Sequence, residues 1–403
     1  MRARLQIYLD SSDFSKFADP GDHAKELKEI EDFLFGRKAD GSIAIRYSES
    51  HVVEAAPTRI EDVPAATRRY AKIHALCGTD CLAHFMDIVG DEVRRVRQGG
   101  RLPRESAWRH DGFWYPRQLE DTLFLSPEAP LRLLHQMGRS ERRKFLKDDK
   151  LTPFARAALA ASGRLLDLPP GEFPLGRRAI LELQRYYDGL VSDGEAERRL
   201  RSLLGDVREF GHWYEADPVH AMQFSSYLRT FGKEFKDLRA TWREGYVQEL
   251  ASAIALGESP KTLDNIVSET FTRQLREASA SLARTLSATL GLGRGSLGVD
   301  DVGAALPALS SATMLTLELA RRSVFHTQPR KGTVSDLGDI FHVAYMPYVD
   351  IYRTDGPMAN VIREAQLARS TEVVARLEHL PAAIERQLAA RSGGEGQPIR
   401  TVG

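Results

Sequence analysis

Cysteine is nearly missing from this chain of 403 residues: Cys77 and Cys81 are the only two. A disulfide framework is excluded, and two thiols four residues apart supply too few ligands for a structural metal by themselves. Long apolar runs are missing as well. No segment nears the ~20 uninterrupted apolar residues of a membrane helix, so no membrane partner is expected. Net charge is also lacking, because 56 Lys and Arg balance 56 Asp and Glu. Bulk attraction to a polyanion does not follow, and any nucleic acid must be held by a local basic patch. The opening MRARLQIYLDSSDF has no small-residue cleavage site after its short apolar stretch, and the expected location is the cytoplasm.

What remains is the make-up of a folded protein, 42% hydrophobic and 28% charged, long enough for more than one structural unit. Leu5 to Leu9 reads as a strand and ends at Asp10, where Ser11 and Ser12 begin a helix. His23 to Phe35 reads as a helix, and Ser42 to Tyr47 as a second strand followed by a helix carrying Glu54. From about Asp91 to Ser310 strand signals nearly vanish, and apolar residues recur at helical spacing, as in Arg178 to Leu190 and Thr270 to Leu290. Alternation returns at the end. Thr313 to Val324 reads as a helix, and so does a second segment opened by Ser335 and closed by Pro347, with Leu337, Ile340, Phe341 and Ala344 as its apolar stripe. Tyr348 to Tyr352 reads as a strand, and Met358 to Ala368 with Glu372 to Ala375 as a further helix and strand. Strand and helix alternation at both ends predicts one α/β domain with a parallel sheet, split by a helical insertion: 1–90 and 311–403 form the domain and 91–310 the insertion.

In a parallel α/β sheet, ligands sit beyond the carboxyl ends of the strands. Asp10, Glu54, Asp339 and Asp355 all fall at such positions, with Asp336 one turn before Asp339. Clustered carboxylates repel unless a divalent cation neutralises them, and hard oxygen donors suit Mg²⁺ or Mn²⁺. Each acid also has a plainer reading: Asp10 as a helix N-cap, Asp336 and Asp339 as residues favouring a helix N-terminus, Glu54 as a solvated charge.

The stretches IYLDSSDFSKF, RYSESHVVEA and DLGDIFHVAYMPYVDIYRTD together resemble the PIN-domain nucleases, over roughly the first 60 and last 80 residues. The resemblance implies a three-layer α/β/α fold and a catalytic set of Asp10, Glu54, Asp339 and Asp355. It places the cation on Asp10, Asp339 and Asp355, with Asp336 beside them and Glu54 orienting water. Here Thr354 and Asp355 are adjacent, whereas the family commonly has a residue between the two. The implied activity is Mg²⁺- or Mn²⁺-dependent endoribonuclease cleavage, RNA being the expected partner and DNA an open one. An inhibitory protein partner and a catalytically inactive relative, binding RNA or protein through the helical insertion, stay open. Arg94, Arg95, Arg97, Arg101 and Arg104, just before Trp108 and Trp114, form the expected nucleic-acid patch, in which bases stack while phosphates are neutralised. A second basic run comprises Arg139, Arg142, Arg143, Lys144 and Lys147.

Overall fold

A computed structural model describes residues 4–117, 146–147, 150–151, 177–187, 190–216, 218–290, 297–325, 333–368 and 370–393. It divides into two compact units, the first made of Met1–Glu54, Phe85–Trp108 and Leu228–Gly403, the second of Ala55–His84 and Arg109–Tyr227.

The first unit is α/β and holds a four-stranded parallel sheet. Its strands are β1 (Leu5–Tyr8), β2 (Ile43–Arg46), β3 (Ile351–Arg353) and β4 (Glu372–Val374), in the order β2-β1-β3-β4. Leu5 pairs with Ile43 and Tyr8 with Arg46 on one side of β1, and Tyr8 pairs with Tyr352 on the other. Strands from the two ends of the sequence therefore lie side by side, as the split alternation predicts. Every residue of β1 and β2 is buried, the pattern of a parallel sheet covered on both faces.

The helix Ser11–Ala18 starts immediately after β1 because Asp10 caps it: the carboxylate accepts from Ser12 N at 2.7 Å, and Asp13 completes a capping box. Phe14 and Phe17 then point inward. In Ala24–Ala39, Leu27, Ile30 and Leu34 make the buried stripe.

Two local expectations are corrected. The third strand begins at Ile351 rather than Tyr348, and Met346–Tyr348 form a 3₁₀ turn. Pro347 removes a ladder donor there. The Tyr348 carbonyl accepts from Trp108 Nε1 at 2.9 Å, and Thr371 Oγ1 takes that of Val349 at 3.0 Å. The helix Asp336–Tyr345 is also turned relative to its apolar pattern. Asp336, Ile340, His342, Val343, Ala344 and Tyr345 are buried, whereas Phe341 is 36% exposed. Both polar residues face inward because each meets a partner there, and a paired polar group tolerates burial.

Among its described residues the second unit is mostly helical, with two-residue strands at Cys81–Leu82, Leu146–Lys147 and Lys150–Leu151. Val63–Cys77 packs on Arg208–Ala216, where Gly211 lets the backbones approach: a Cβ there would stand 3.3 Å from Thr67 Cα. Tyr70 stacks on Tyr214 beside this crossing, with ring centroids 6.2 Å apart. The bounds of the two units differ from a division into 1–90, 91–310 and 311–403. Pro260–Thr289 lies in the 91–310 stretch, yet it packs on Phe85–Arg97 and Pro307–Val324 in the unit that holds the sheet. A helical apolar stripe states that a helix is packed, not which core it serves. Among the described residues, no helix is long and apolar enough to cross a membrane.

Candidate active site

The carboxyl edge of β1 and β2 gathers three of the five acids singled out in the sequence. Asp10 follows β1, Glu54 lies in the helix Glu49–Ala55 after β2, and Asp339 sits in the first turn of Asp336–Tyr345. At their centre is His342, which is 5% exposed. Its Nε2 stands 3.1 Å from Glu54 Oε2 and 3.2 Å from Ser11 Oγ, and its Nδ1 lies 2.7 Å from Tyr8 Oη. Tyr8 Oη is also 2.6 Å from Ser48 Oγ. His51 closes the far end. Its Nδ1 accepts from the Ser48 backbone N–H at 3.0 Å, which leaves Nε2 to donate to the Leu9 carbonyl at 2.8 Å.

The electrostatics mark these groups as one cluster. Burial pushes Asp339 up to about 7; the charge of His342 opposes this, while Glu54, Asp10 and Asp336 add to it. Asp10 is also desolvated, but hydrogen bonds from Ser12 and the charges of His342 and Arg353 prevail and hold it below its usual value. Burial works to lower His342, and the charge and hydrogen bond of Glu54, helped by Asp10 and Asp339, carry it above the usual histidine value. His51 drops to about 3 through burial and the neighbouring charge of His342, so it is neutral. Such displaced titrations at a strand edge are characteristic of functional sites.

The other two acids have local duties. Asp355 is exposed, and its Oδ1 caps the helix Gly356–Glu364 by accepting from Met358 N at 2.7 Å. Asp336 is fully buried; it pairs with Arg239 at 2.5 Å and accepts from Thr333 N at 3.0 Å and Thr333 Oγ1 at 2.8 Å. Thr354 is buried beside β4, donating its N–H to the Val374 carbonyl at 3.0 Å. Among the described residues, no three His, Cys, Asp or Glu side chains converge closely enough to hold one metal ion directly.

Most of the expected basic patch is committed within the chain. Arg94 pairs with Asp91, Arg97 Nε donates to Ser287 Oγ at 3.3 Å, and Arg104 binds Asp350 at 3.0 Å. Arg95 and Arg101 are exposed. Trp114 is 6% exposed and stacked on Tyr115, so it offers no open face to a base. Arg139, Arg142, Arg143 and Lys144 lie outside the described residues, as does the side chain of Lys147.

His342, Tyr8, Ser48 and His51 are not among the site residues singled out in the sequence. One signal was present: Asp339 and His342 are three apart on a helix, a spacing that puts two side chains on adjoining faces. Ser48 and His51 are likewise three apart, Ser48 being the residue just before the helix Glu49–Ala55. No protein-family model, curated protein or solved structure matches this chain.

Proposed function

We propose that Asp10, Glu54, Asp339 and His342 form a hydrolytic centre that cleaves phosphodiester bonds with the help of Mg²⁺ or Mn²⁺, RNA being the substrate. The observation that carries this reading is the placement of Asp10, Glu54 and Asp339 on the same carboxyl edge of a parallel sheet, with His342 bonded to Glu54 among them. The donor chemistry fits a hard divalent cation. Mg²⁺ commonly keeps several waters and takes only one or two carboxylates directly, so a convergent three-ligand set is not required. Asp10, held ionised by its cap, and Asp339, which loses its excess proton affinity next to a positive charge, are the residues that would hold the ion. When bound, it supplies charge stabilisation at the phosphate and lowers the pKa of water. Glu54, aimed by His342, orients that water and receives its proton. The PIN-like three-layer fold, with Asp355 as a further ligand, belongs to the same proposal: Asp355 keeps one carboxylate oxygen beyond its cap bond, whereas both oxygens of the buried Asp336 are engaged by Arg239 and Thr333.

A second reading has one observation in its favour. His342 already supplies positive charge to the acids, as an inactive relative that binds RNA or a protein partner would need. Incubating the full chain with a mixed RNA pool separates the two. Cleavage with Mg²⁺ or Mn²⁺ that stops in chelator is expected. Binding without cleavage, or equal cleavage in chelator, overturns the first reading.

A further inference from the structure

The geometry points to Arg353 as a positioning residue of this centre: it holds one carboxylate oxygen of Asp13 so that the other holds the Asp10 backbone, which sets where the Asp10 carboxylate stands for a divalent cation. This rests on the hydrolytic reading, in which Asp10 is a ligand, and adds to that site a residue that touches neither substrate nor ion.

Arg353 is the last residue of β3, the strand beside β1. Tyr8 and Tyr352 are paired across these strands, and their rings stack with centroids 5.4 Å apart. Successive side chains of a strand point to opposite faces, so Arg353 leaves the sheet on the face away from Tyr8 and Tyr352. There it meets the helix Ser11–Ala18. Its Nη2 stands 2.8 Å from Asp13 Oδ1, with the Arg353 side chain 3% exposed and that of Asp13 fully buried.

Asp13 Oδ2 takes the Asp10 N–H at 3.2 Å. Asp10 is thereby held twice, at its backbone by Asp13 and at its carboxylate by Ser12 N, which donates to Oδ1 at 2.7 Å. Asp10 Oδ2 has no part in either bond. Lys16 is no substitute for Arg353, because its Nζ is 3.8 Å from Asp13 Oδ1 and its side chain is 49% exposed.

A capping box closes without a buried arginine, and net stability does not call for one either. Taking an ion pair out of water costs about as much as the pairing returns, and apolar side chains of similar volume often do as well. Here Nε and Nη1 of Arg353 have no hydrogen-bond partner among the described residues. What the pair supplies is orientation. With Oδ1 held from β3, the Asp13 carboxylate is kept from turning, and Oδ2 stays on the Asp10 N–H. A residue of one strand thus fixes the carboxyl end of its neighbour. Groups that orient a metal ligand change metal affinity or activity by about 10–100-fold when replaced.

The test follows Mn²⁺ affinity of the full chain by electron paramagnetic resonance, beside urea unfolding and single-turnover cleavage of a labelled uridine oligoribonucleotide with Mn²⁺. Position and charge predict opposite signs for Arg353→Met. Arg353 is among the positive charges acting on Asp10, so charge alone would tighten Mn²⁺ binding once it is gone, whereas lost positioning weakens binding by ~10–100-fold. The double variant Arg353→Met, Asp13→Leu removes both charges and strands neither, which protects the fold. It should unfold near the wild-type urea midpoint, bind Mn²⁺ ~10–100-fold more weakly and cleave more slowly. Amide hydrogen exchange on the wild type needs no variant, and the Asp10 N–H should exchange slowly. Tighter or unchanged Mn²⁺ binding in the folded variants, or an Asp10 N–H that exchanges as fast as in an open chain, overturns the positioning role and leaves the nuclease reading intact. Wild-type Mn²⁺ binding that is absent, or that survives Asp10→Asn, overturns both. A wild-type chain that binds Mn²⁺ through Asp10 but cleaves nothing overturns the nuclease reading alone.

Discussion

Glu54 Oε1 occupies the space a side chain at Gly338 would fill: a Cβ there would collide with the carboxylate. The absence of that one carbon lets the first turn of Asp336–Tyr345 come up against the helix after β2, bringing Asp339 and His342 to Glu54. In a helix, Gly costs roughly 0.5–1 kcal/mol relative to Ala, so close approach is what its presence serves. Gly338→Ala is expected to push Glu54 aside. A misplacement of ~1 Å at a reacting group can cost about 10²-fold in rate, and a loss of 10-fold or more is expected in the Mn²⁺-supported cleavage assay. A variant with an unchanged rate would show that Glu54 tolerates displacement and lies outside the chemistry.

Asp336 and Asp339 share one helical turn but should respond oppositely to amidation. Asp339→Asn removes a carboxylate that burial and its neighbours already disfavour, so stability at pH 8 should hold or rise while cleavage is lost. Asp336→Asn leaves the buried Arg239 without its counter-charge, and breaking a buried pair from one side costs about 3–5 kcal/mol. Urea unfolding and cleavage rates measured on both variants decide this. Asp336→Asn folding at wild-type stability would contradict the assigned role of the pair.

The contrast between these two acids shows what the sequence could and could not disclose. β1 and β2 were legible because apolar strands buried on both faces read as apolar runs, and Asp10 because a strand-ending Asp before two serines is both a cap and an edge ligand. Asp10, Glu54 and Asp339 were legible as candidates from their places relative to strands. The roles of Asp336 and His342 were not, because their partners are remote: Arg239 is 97 residues from Asp336, and Tyr8 and Glu54 are 334 and 288 residues from His342. A helical periodicity reports one face of one helix, and a paired polar residue on that face breaks the pattern. The unit served by Pro260–Thr289 was illegible for the same reason.

Glu92 supplies a pH test away from the candidate site. Fully buried, it accepts from Ala308 N at 2.7 Å and from Tyr348 Oη. Burial pushes its carboxyl from 4.5 up to about 7 against the lowering effect of those bonds. Because the folded value lies above the unfolded one, this group's contribution is full below about pH 4.5 and is lost as pH rises to about 7, after which it is flat. Glu92→Gln keeps an oxygen for both donors and cannot ionise. The stability of the variant relative to wild type should rise between pH 5 and pH 8, by at most about 3 kcal/mol, in urea titrations. A difference that is flat or falling with pH would place Glu92 ionised throughout.

Arg239 and Asp336 can also be examined as a pair. The guanidinium is 2% exposed, and its Nε and Nη1 have no hydrogen-bond partner. Its Nη2 donates to Asp336 and, at 3.2 Å, to the Thr333 carbonyl, and the guanidinium lies over the Phe235 ring, 4.7 Å from its centroid. Two charges taken out of water with incomplete pairing are weak evidence of net stabilisation, and apolar replacement of such a pair is often neutral or favourable by about 1–4 kcal/mol. Arg239→Met alone should destabilise by about 3–5 kcal/mol, since it strands the carboxylate. The double variant Arg239→Met, Asp336→Leu should recover most of that loss, although it also removes the bonds that Asp336 accepts from Thr333 N and Oγ1, worth about 1 kcal/mol each. A double-mutant cycle in urea gives the coupling energy directly. Coupling near zero would mean that the two charges are solvated in solution and that the first turn of Asp336–Tyr345 is held by the bonds of Asp336 to Thr333 alone. Coupling of several kcal/mol, with the double variant near wild-type stability, would mean that the pair fixes where the turn sits without adding net stability to it.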